Sequence, residues 1–295
     1  MNFQKELQNL KPEHEFFIGI DSDGCVFDSM EVKQKEFFIP IALKYFSLYG
    51  ISKVLRETWE FVNLYSIYRG GNRFISIIKV FELLSERKEI IESGYKLPDL
   101  TLLKDWVKTE TRLSNANLRK YYESHNNNNK DLEKVVKWSE AVNNDINTWL
   151  HNIPPFRNAT HSLDKISSFS DIVIVSQTPL DVLEREWKEH SLKGHSMHIA
   201  GQEHGTKTQH IAFAAKGKYK DNKILMIGDA KGDMDAAKNN GILFYPVIPG
   251  KEDRSWERLL NEALDRFKEG EYAGTYEDEL LLEFRKSLPE TPPWL

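Results

Sequence analysis

Cysteine is almost missing from this sequence: of 295 residues only Cys25 carries a thiol. An internal disulfide and every multi-cysteine zinc pattern are thereby excluded. Long apolar runs are missing too. No window approaches 18 uninterrupted apolar residues, so no membrane span is expected. The first fifteen residues are polar and charged, unlike a secretory signal, and a cytoplasmic protein is expected. There is no excess of basic residues. Lys and Arg number 40 against 45 Asp and Glu, for a net charge of −5. That balance argues against a nucleic-acid partner held by a basic surface. Hydrophobic residues make up 40%, enough for an ordinary core, and the length allows two domains.

Against that background the stretch Phe16-Phe17-Ile18-Gly19-Ile20-Asp21-Ser22-Asp23-Gly24-Cys25-Val26-Phe27-Asp28 stands out. A short apolar run ends in two aspartates one residue apart. The run reads as a buried strand. Asp21 would then sit at the carboxyl edge of a parallel sheet, where open α/β sheets bind ligands. An ordinary Asp-Gly turn would give the same local pattern. A calcium loop starting at Asp21 would not, because it needs Gly at 26 and Glu at 32, where Val26 and Val32 stand.

From Ser29 to Leu150 the pattern is helical throughout, with no β alternation. Pro40 is expected to kink or divide the first helix and Gly50 to end it. Further helices are expected over 51–66, 74–84, 100–111, 116–124 and 131–150. The polar run Asn126–Asn129 reads as an exposed turn. Pro154-Pro155 breaks this region, and β/α alternation follows. Strands are expected over 171–176, 197–200, 223–228 and 242–247, with helices between and after them. Thr178-Pro179-Leu180-Asp181 suggests a helix start with Thr178 as the cap. The expected architecture is an α/β core with a parallel sheet, residues 1–28 and 155–295. An all-helical domain, residues 29–154, is inserted after the first strand. An insert there suits a lid that excludes water.

Four places carry candidate chemistry: Asp21 with Asp23, Ser176, Lys207, and Asp229 with Asp233. Each has an ordinary explanation, a helix cap for Ser176 or a solvated charge for Lys207. Together they make one scheme. A carboxylate attacks phosphorus and forms an aspartyl-phosphate. Mg²⁺ held by oxygen ligands neutralises the anion. A serine, a lysine and backbone N–H groups hold phosphoryl oxygens. A second carboxyl protonates the leaving alkoxide and later deprotonates water.

The order Asp-x-Asp-Gly, then Ser, then Lys, then Gly-Asp-x-x-x-Asp resembles the haloacid dehalogenase (HAD) superfamily across the whole α/β part. The helical insert falls where that superfamily places its C1 cap. The resemblance implies a Rossmann-like core with Asp21 as nucleophile and Asp23 as general acid/base. Mg²⁺ would be held by Asp21, the Asp23 carbonyl, Asp229 and Asp233. Ser176 and Lys207 would bind the phosphoryl group, with Gly24 and Gln177 beside them. Asp23 favours phosphate esters, since dehalogenases of this type lack that second aspartate. The lysine motif, Gly205-Thr206-Lys207-Thr208, departs from the commonest Lys-Pro form.

The expected activity is therefore a Mg²⁺-dependent phosphatase acting on a small phosphorylated metabolite. A sugar-phosphate mutase of the β-phosphoglucomutase kind and a non-catalytic phospho-ligand binder are the alternatives. Arg69 and Arg73 flank Gly70-Gly71 in the insert, either as solvated charges on a turn or as a loop reaching an anionic part of the substrate. His195, His198, His204 and His210 cluster in sequence but lack a cysteine partner or a His-Glu-x-x-His pattern. They are expected to be satisfied or exposed. Cys25 is expected to be a small packed side chain. Oligomeric state has no signal in the sequence.

Overall fold

A computed structural model describes residues 3–124 and 128–295. The described chain divides into two compact units. One runs to Met30 and resumes from His151 to Pro289; the other comprises Glu31–Leu150 with Glu290–Leu295.

The first unit is built on five parallel strands: β1 (Phe16–Ile20), β2 (Ser170–Val175), β3 (His198–Ala200), β4 (Ile224–Gly228) and β5 (Leu243–Pro246). Their order in the sheet is β3-β2-β1-β4-β5. β1 is central, with Ile18 opposite Ile172 on one side and Leu225 on the other. The strands read as near-continuous apolar runs because both faces of the sheet are covered; every residue of β2 and β4 is buried. From β1 the chain steps outward through β2 to β3, then crosses to β4 on the far side of β1. That reversal puts the topological switch point between β1 and β4, where α/β sheets of this kind bind ligands.

Large side chains fill the space around the sheet. Trp187, Trp256, Phe27, Tyr245, Tyr272 and Phe267 are each at most 1% exposed. At the amino edge, Asp171 accepts from the amides of Glu13 (2.9 Å) and His14 (3.1 Å), from Tyr219 Oη (2.6 Å), and contacts His14 Nδ1 (2.9 Å). These bonds fasten the N-terminal arm to the start of β2. The arm itself opens with a short helix, Phe3–Gln8, whose Leu7 is buried.

The second unit is helical. Its longer helices are Ser52–Leu64, Arg73–Ser85, Thr101–Thr109, Asn115–Ser124 and Lys130–Trp149. A short helix, Lys88–Ser93, was not legible beforehand; Gly94 at φ 64° closes it. Trp59, Trp138 and Trp106 are buried inside the unit. Trp59 Nε1 donates to Gln34 Oε1 (2.7 Å) and Trp138 Nε1 to the Phe38 carbonyl (3.2 Å). The last residues join this unit, with Trp294 between the Phe61 ring and the Arg87 guanidinium.

The expectation of a kink or division at Pro40 holds in its milder form: the chain stays helical, and the disturbance falls in the turn before the proline, while Pro40 itself sits at the start of Ile39–Tyr45. That turn, Lys33–Phe38, widens to π geometry, with the Ile39 N–H bonding five residues back to Gln34. Widening is how a helix carries a proline that supplies no N–H. The expectation for Gly50 needs correcting, because it does not end that helix. The chain turns at Ser47, φ 59°, and Leu48 N–H returns to the Leu43 carbonyl (2.9 Å). Of the polar run 126–129, Asn126 and Asn127 lie outside the described residues. Asn129 caps the next helix by accepting from Leu132 N (2.7 Å).

Candidate active site

At the carboxyl end of β1 the sheet pairing runs one residue further, as Asp21 N–H donates to the Ile227 carbonyl (3.0 Å). The chain then folds tightly on itself. The Ser22 carbonyl accepts from Val26 N (2.9 Å), Phe27 N (3.2 Å) and Cys25 N (3.3 Å). Gly24, at φ 76°, supplies the left-handed residue this turn needs. Buried bonds pin the turn from below. Ser22 Oγ donates to Glu186 Oε2 (3.1 Å) and accepts from Trp187 Nε1 (3.0 Å), while Trp256 Nε1 holds the Cys25 carbonyl (2.8 Å). Cys25 itself is buried, and burial first, then the nearby carboxylates, pushes its thiol well above its ordinary pKa. It is inert packing.

Asp23 has a hydroxyl at each carboxylate oxygen: Ser29 Oγ at Oδ1 and Thr178 Oγ1 at Oδ2 (2.8 Å). Thr178 is thus not the helix cap. The helix begins at Leu180 with Pro179 in the cap position. The Thr178 side chain is turned to Asp23 instead, and its N–H donates to Ser176 Oγ (3.1 Å). Ser176, at the end of β2, is buried, with its own N–H on the Ala200 carbonyl (3.0 Å). Its hydroxyl has one acceptor site used and, among the described residues, no acceptor for its own proton. Gln177 Nε2 bonds to the Gly205 carbonyl (2.8 Å), tying this loop to the segment that presents Lys207.

Lys207 is the first residue of the helix Lys207–Ala214. Thr206 caps that helix and Gln209 reaches back to the Thr206 amide (2.9 Å), a reciprocal cap that fixes where the lysine emerges. Lys207 Nζ lies 2.9 Å from Asp21 Oδ2 and 2.6 Å from Asp233 Oδ1. At the end of β4, Asp229 follows Gly228 directly, and Asp233 Oδ2 accepts from the Ala230 amide (3.0 Å). A Cβ on Gly228 would stand 2.4 Å from Asp233 Cβ and Cγ. Glycine is required here because the Asp233 side chain folds back against the strand end.

Asp21, Asp229 and Asp233 each offer a carboxylate oxygen within 4.8 Å of the others, and all three are buried. Burial, followed by the neighbouring carboxylates and opposed by Lys207, raises Asp21 well above the usual carboxylate range. Asp233 is raised too, by burial first and by Asp229. Burial alone would lower Lys207, but Asp21 and Asp233 hold it above its ordinary value, firmly protonated. Three buried carboxylates gather around the Lys207 ammonium, and crowding like charges in a dry site is costly. An all-oxygen donor set fits a hard divalent cation that keeps part of its water shell. Asp21, Asp229 and Asp233 are the side chains that would hold it. The Asp23 side chain lies outside this cluster, engaged by the two hydroxyls.

The structure therefore brings Asp21, Lys207, Asp229 and Asp233 into one group, with Asp23 and Ser176 joined through Thr178. Reading the sequence alone missed Thr178, Ser29 and Gly228. Thr178 stood two residues after a candidate site serine, which was a signal, but the following proline made a cap the simpler explanation.

In the helical unit, Arg69 is buried and its Nη1 donates to the Leu64 carbonyl (2.9 Å). Arg73 is partly buried and donates through Nη1 to Ser139. Neither is a solvated charge on a turn. Among the histidines, His195 contacts Asp164 Oδ1 (2.8 Å), and His198 and His204 meet through Nε2 (3.1 Å) near Glu6. The Gly201 N–H donates to His204 Nδ1 (3.2 Å). Nε2 of His204 must then carry the ring proton and donate it to His198. With that lone pair committed, the pair is self-satisfied and a poor metal ligand set.

Residues 101–247 match the family model for haloacid dehalogenase-like hydrolases. The match begins inside the helical unit, so Asp21 and Asp23 lie outside it and enter on geometry. No curated protein matches the chain significantly. Among solved structures, a haloacid dehalogenase-like hydrolase from Streptococcus pneumoniae is 13% identical, with TM-score 0.42, covering 82% of this chain and 90% of its own. A predicted phosphoglycolate phosphatase from Haemophilus somnus is 12% identical, with TM-score 0.47, covering 80% and 86%. A defluorinating L-2-haloacid dehalogenase is 13% identical, with TM-score 0.38, covering 80% and 82%.

Proposed function

The chain belongs to the haloacid dehalogenase-like hydrolases, and within that family we propose that it is a Mg²⁺-dependent phosphatase of a small phosphorylated metabolite. The observation that carries the reading is the buried cluster at the switch point: Asp21, Asp229 and Asp233 together with a single Lys207. Asp21, at the end of the central strand, is the nucleophile. Its attack on phosphorus forms an aspartyl-phosphate and releases the alcohol. A divalent cation, when bound, supplies charge neutralisation for the phosphoryl oxygens. Lys207 adds a fixed positive charge, and the Ser176 hydroxyl and the amides directly after Asp21 donate to the same oxygens; the Gly24 amide, expected among them, is instead taken by the Phe27 carbonyl (2.9 Å).

Asp23 supports phosphate esters as the substrate class. A departing alkoxide needs a proton and a departing halide does not, so a second carboxyl in this position is useful for esters. Ser29 and Thr178 hold that carboxyl from both sides, so it does not have to be ordered in each turnover. In the second half-reaction Asp23 takes a proton from the water that attacks the aspartyl-phosphate.

Incubation of the chain with Mg²⁺ and a panel of phosphate esters, scored by phosphate release, tests the proposal. Asp21→Asn is expected to remove turnover and leave the thermal transition in place. Excess chelator is expected to stop it, with Mg²⁺ restoring activity better than Ca²⁺. A folded Asp21→Asn protein that still releases phosphate would overturn the covalent route. Isomerised phosphosugar in place of free phosphate would make the protein a mutase. No turnover of any ester would leave a phospho-ligand binder.

A further inference from the structure

A threonine that caps a helix uses two of its groups. Its carbonyl accepts the first intrahelical bond, and its hydroxyl accepts from an amide two or three residues on. For a cap at Thr178 the nearer of those amides belongs to Leu180. Pro179 has no N–H, so Leu180 also carries the first amide of the helix Leu180–Glu189 in need of a partner.

The segment that follows β3 takes over both functions. The Gln202 N–H donates to the Thr178 carbonyl (3.1 Å). The Leu180 N–H donates to Glu203 Oε2 (3.1 Å). A carboxylate is favoured at that end of the helix, where the macrodipole is positive. Glycine makes the approach possible. A Cβ on Gly201 would stand 2.8 Å from the Thr178 carbonyl oxygen and 2.9 Å from both the Leu180 nitrogen and Glu203 Oε2. Any side chain there would push the two segments apart.

The consequence falls on Asp23. With the Leu180 amide served from the neighbouring loop, the Thr178 hydroxyl is turned the other way and donates to Asp23 Oδ2 (2.8 Å). The Thr178 N–H is on Ser176 Oγ (3.1 Å), so its two backbone groups are both held while its side chain reaches the site. Glu203 itself is exposed and touches neither Asp23 nor any other member of the acidic cluster in a hydrogen bond. Its influence on the site runs through Thr178.

We propose that Glu203 is a positioning residue for Asp23: by capping the helix Leu180–Glu189 in place of Thr178, it keeps the Thr178 hydroxyl on the Asp23 carboxylate. The catalytic value of that bond rests on the phosphatase reading, whereas the exchange of caps does not.

The test uses the full chain and two arms. In the first, a crystal structure of Glu203→Ala is expected to show the Thr178 hydroxyl rotated off Asp23 and accepting from the Leu180 amide. This arm needs no turnover. In the second, kcat/KM is measured on phenyl phosphate, whose leaving oxygen needs a proton, and on para-nitrophenyl phosphate, whose leaving oxygen needs it far less. Glu203→Ala is expected to lower the phenyl phosphate value by about 3- to 10-fold, the worth of one hydrogen bond, and the para-nitrophenyl value less. Glu203→Gln, which keeps an acceptor oxygen, is expected to stay close to wild type on both. Adding Glu203→Ala to Thr178→Val is expected to cause no further loss, because the two changes remove the same bond. Gly201→Ala is the second variant should Glu203→Ala not fold, with the same expected pattern. A Thr178 hydroxyl still on Asp23 in the Glu203→Ala crystal overturns the proposal. So do losses that multiply in the double variant, or equal losses on the two esters. A rotated Thr178 in a protein whose wild type hydrolyses no ester would uphold the exchange of caps and overturn the phosphatase reading alone.

Discussion

Replacing Gly228 by alanine isolates the geometry of the acidic cluster from its chemistry. The backbone at Gly228 is strand-like, so the alanine has no conformational penalty there. The added methyl would nevertheless meet Asp233 Cβ and Cγ at 2.4 Å and Oδ2 at 2.6 Å. Relief requires Asp233 to retreat by about 1 Å, and a shift of that size in a catalytic group costs about 100-fold in rate. Asp233 has little freedom to retreat, since Lys207 holds one oxygen and the Ala230 amide the other. Overpacking of this kind also costs about 1–3 kcal/mol of stability. Gly232 is the control. It lies four residues on, inside the helix Lys231–Asn240, and its Cβ would meet nothing within 4 Å. Gly232→Ala should stabilise by about 0.5–1 kcal/mol through helix propensity and leave the site alone. The assay is phosphate release at a series of Mg²⁺ concentrations, with thermal unfolding in parallel. Gly228→Ala should show both a lower kcat and a weaker Mg²⁺ requirement curve. Wild-type values for Gly228→Ala, or equal damage from Gly232→Ala, would refute the reasoning.

Thr178→Val should lower kcat several-fold with little change in stability, because it removes one of the two hydroxyls that hold Asp23; a matching loss in Tm without a kcat effect would show that the bond is only structural. Ser22→Ala should destabilise by about 1–3 kcal/mol in denaturant unfolding, since it leaves the buried Trp187 N–H without this acceptor and takes one donor from Glu186; an unchanged midpoint would refute this. Asp171 gives a pH dependence. Burial would raise its pKa, but the bonds from Tyr219, His14 and the Glu13 and His14 amides outweigh it and hold the carboxyl below its ordinary value. A depressed carboxylate stabilises above its unfolded pKa, about 3.9, and that contribution disappears as pH falls through the folded value. Asp171→Asn should thus cost stability at pH 7, and the gap to wild type should close in acid; a constant gap down to pH 2 would count against it.

Much of the α/β unit was legible because its strands are short apolar runs that end at a small or polar residue. β1 is followed by Asp21, β2 by Ser176, and β4 ends at Gly228 before Asp229, and these residues carry the site. Short-range signals failed where a tertiary partner competed. Thr178 had the sequence of a cap, yet the Asp23 carboxylate outbid the helix amides for its hydroxyl. Ser47 turns the chain in a conformation that sequence reading reserves for glycine, so Gly50 was the natural but wrong choice. The closeness of Gly228 to Asp233 is a contact between residues five apart across a turn, which periodicity does not see. The engagement of Arg73 by Ser139 spans 66 positions, and nothing local announces it.

The centre of the sheet is also its earliest strand. Phe16 of β1 lies opposite Ser170 of β2, and Phe17 opposite Ile224 of β4. On a ribosome β1 therefore waits while roughly 150 residues are made, about 8–30 s at ordinary elongation rates. Throughout that interval Phe-Phe-Ile-Gly-Ile has neither neighbour, and both of its edges are open to other chains. Closing so long a loop costs only a logarithmic entropy, so the final pairing is not thermodynamically burdened. It is slow in topology rather than weak in energy. The residues that place the nucleophile are thus the ones most in need of protection by a chaperone during synthesis, and the yield of active protein depends on keeping that strand apart from its copies until β2 emerges.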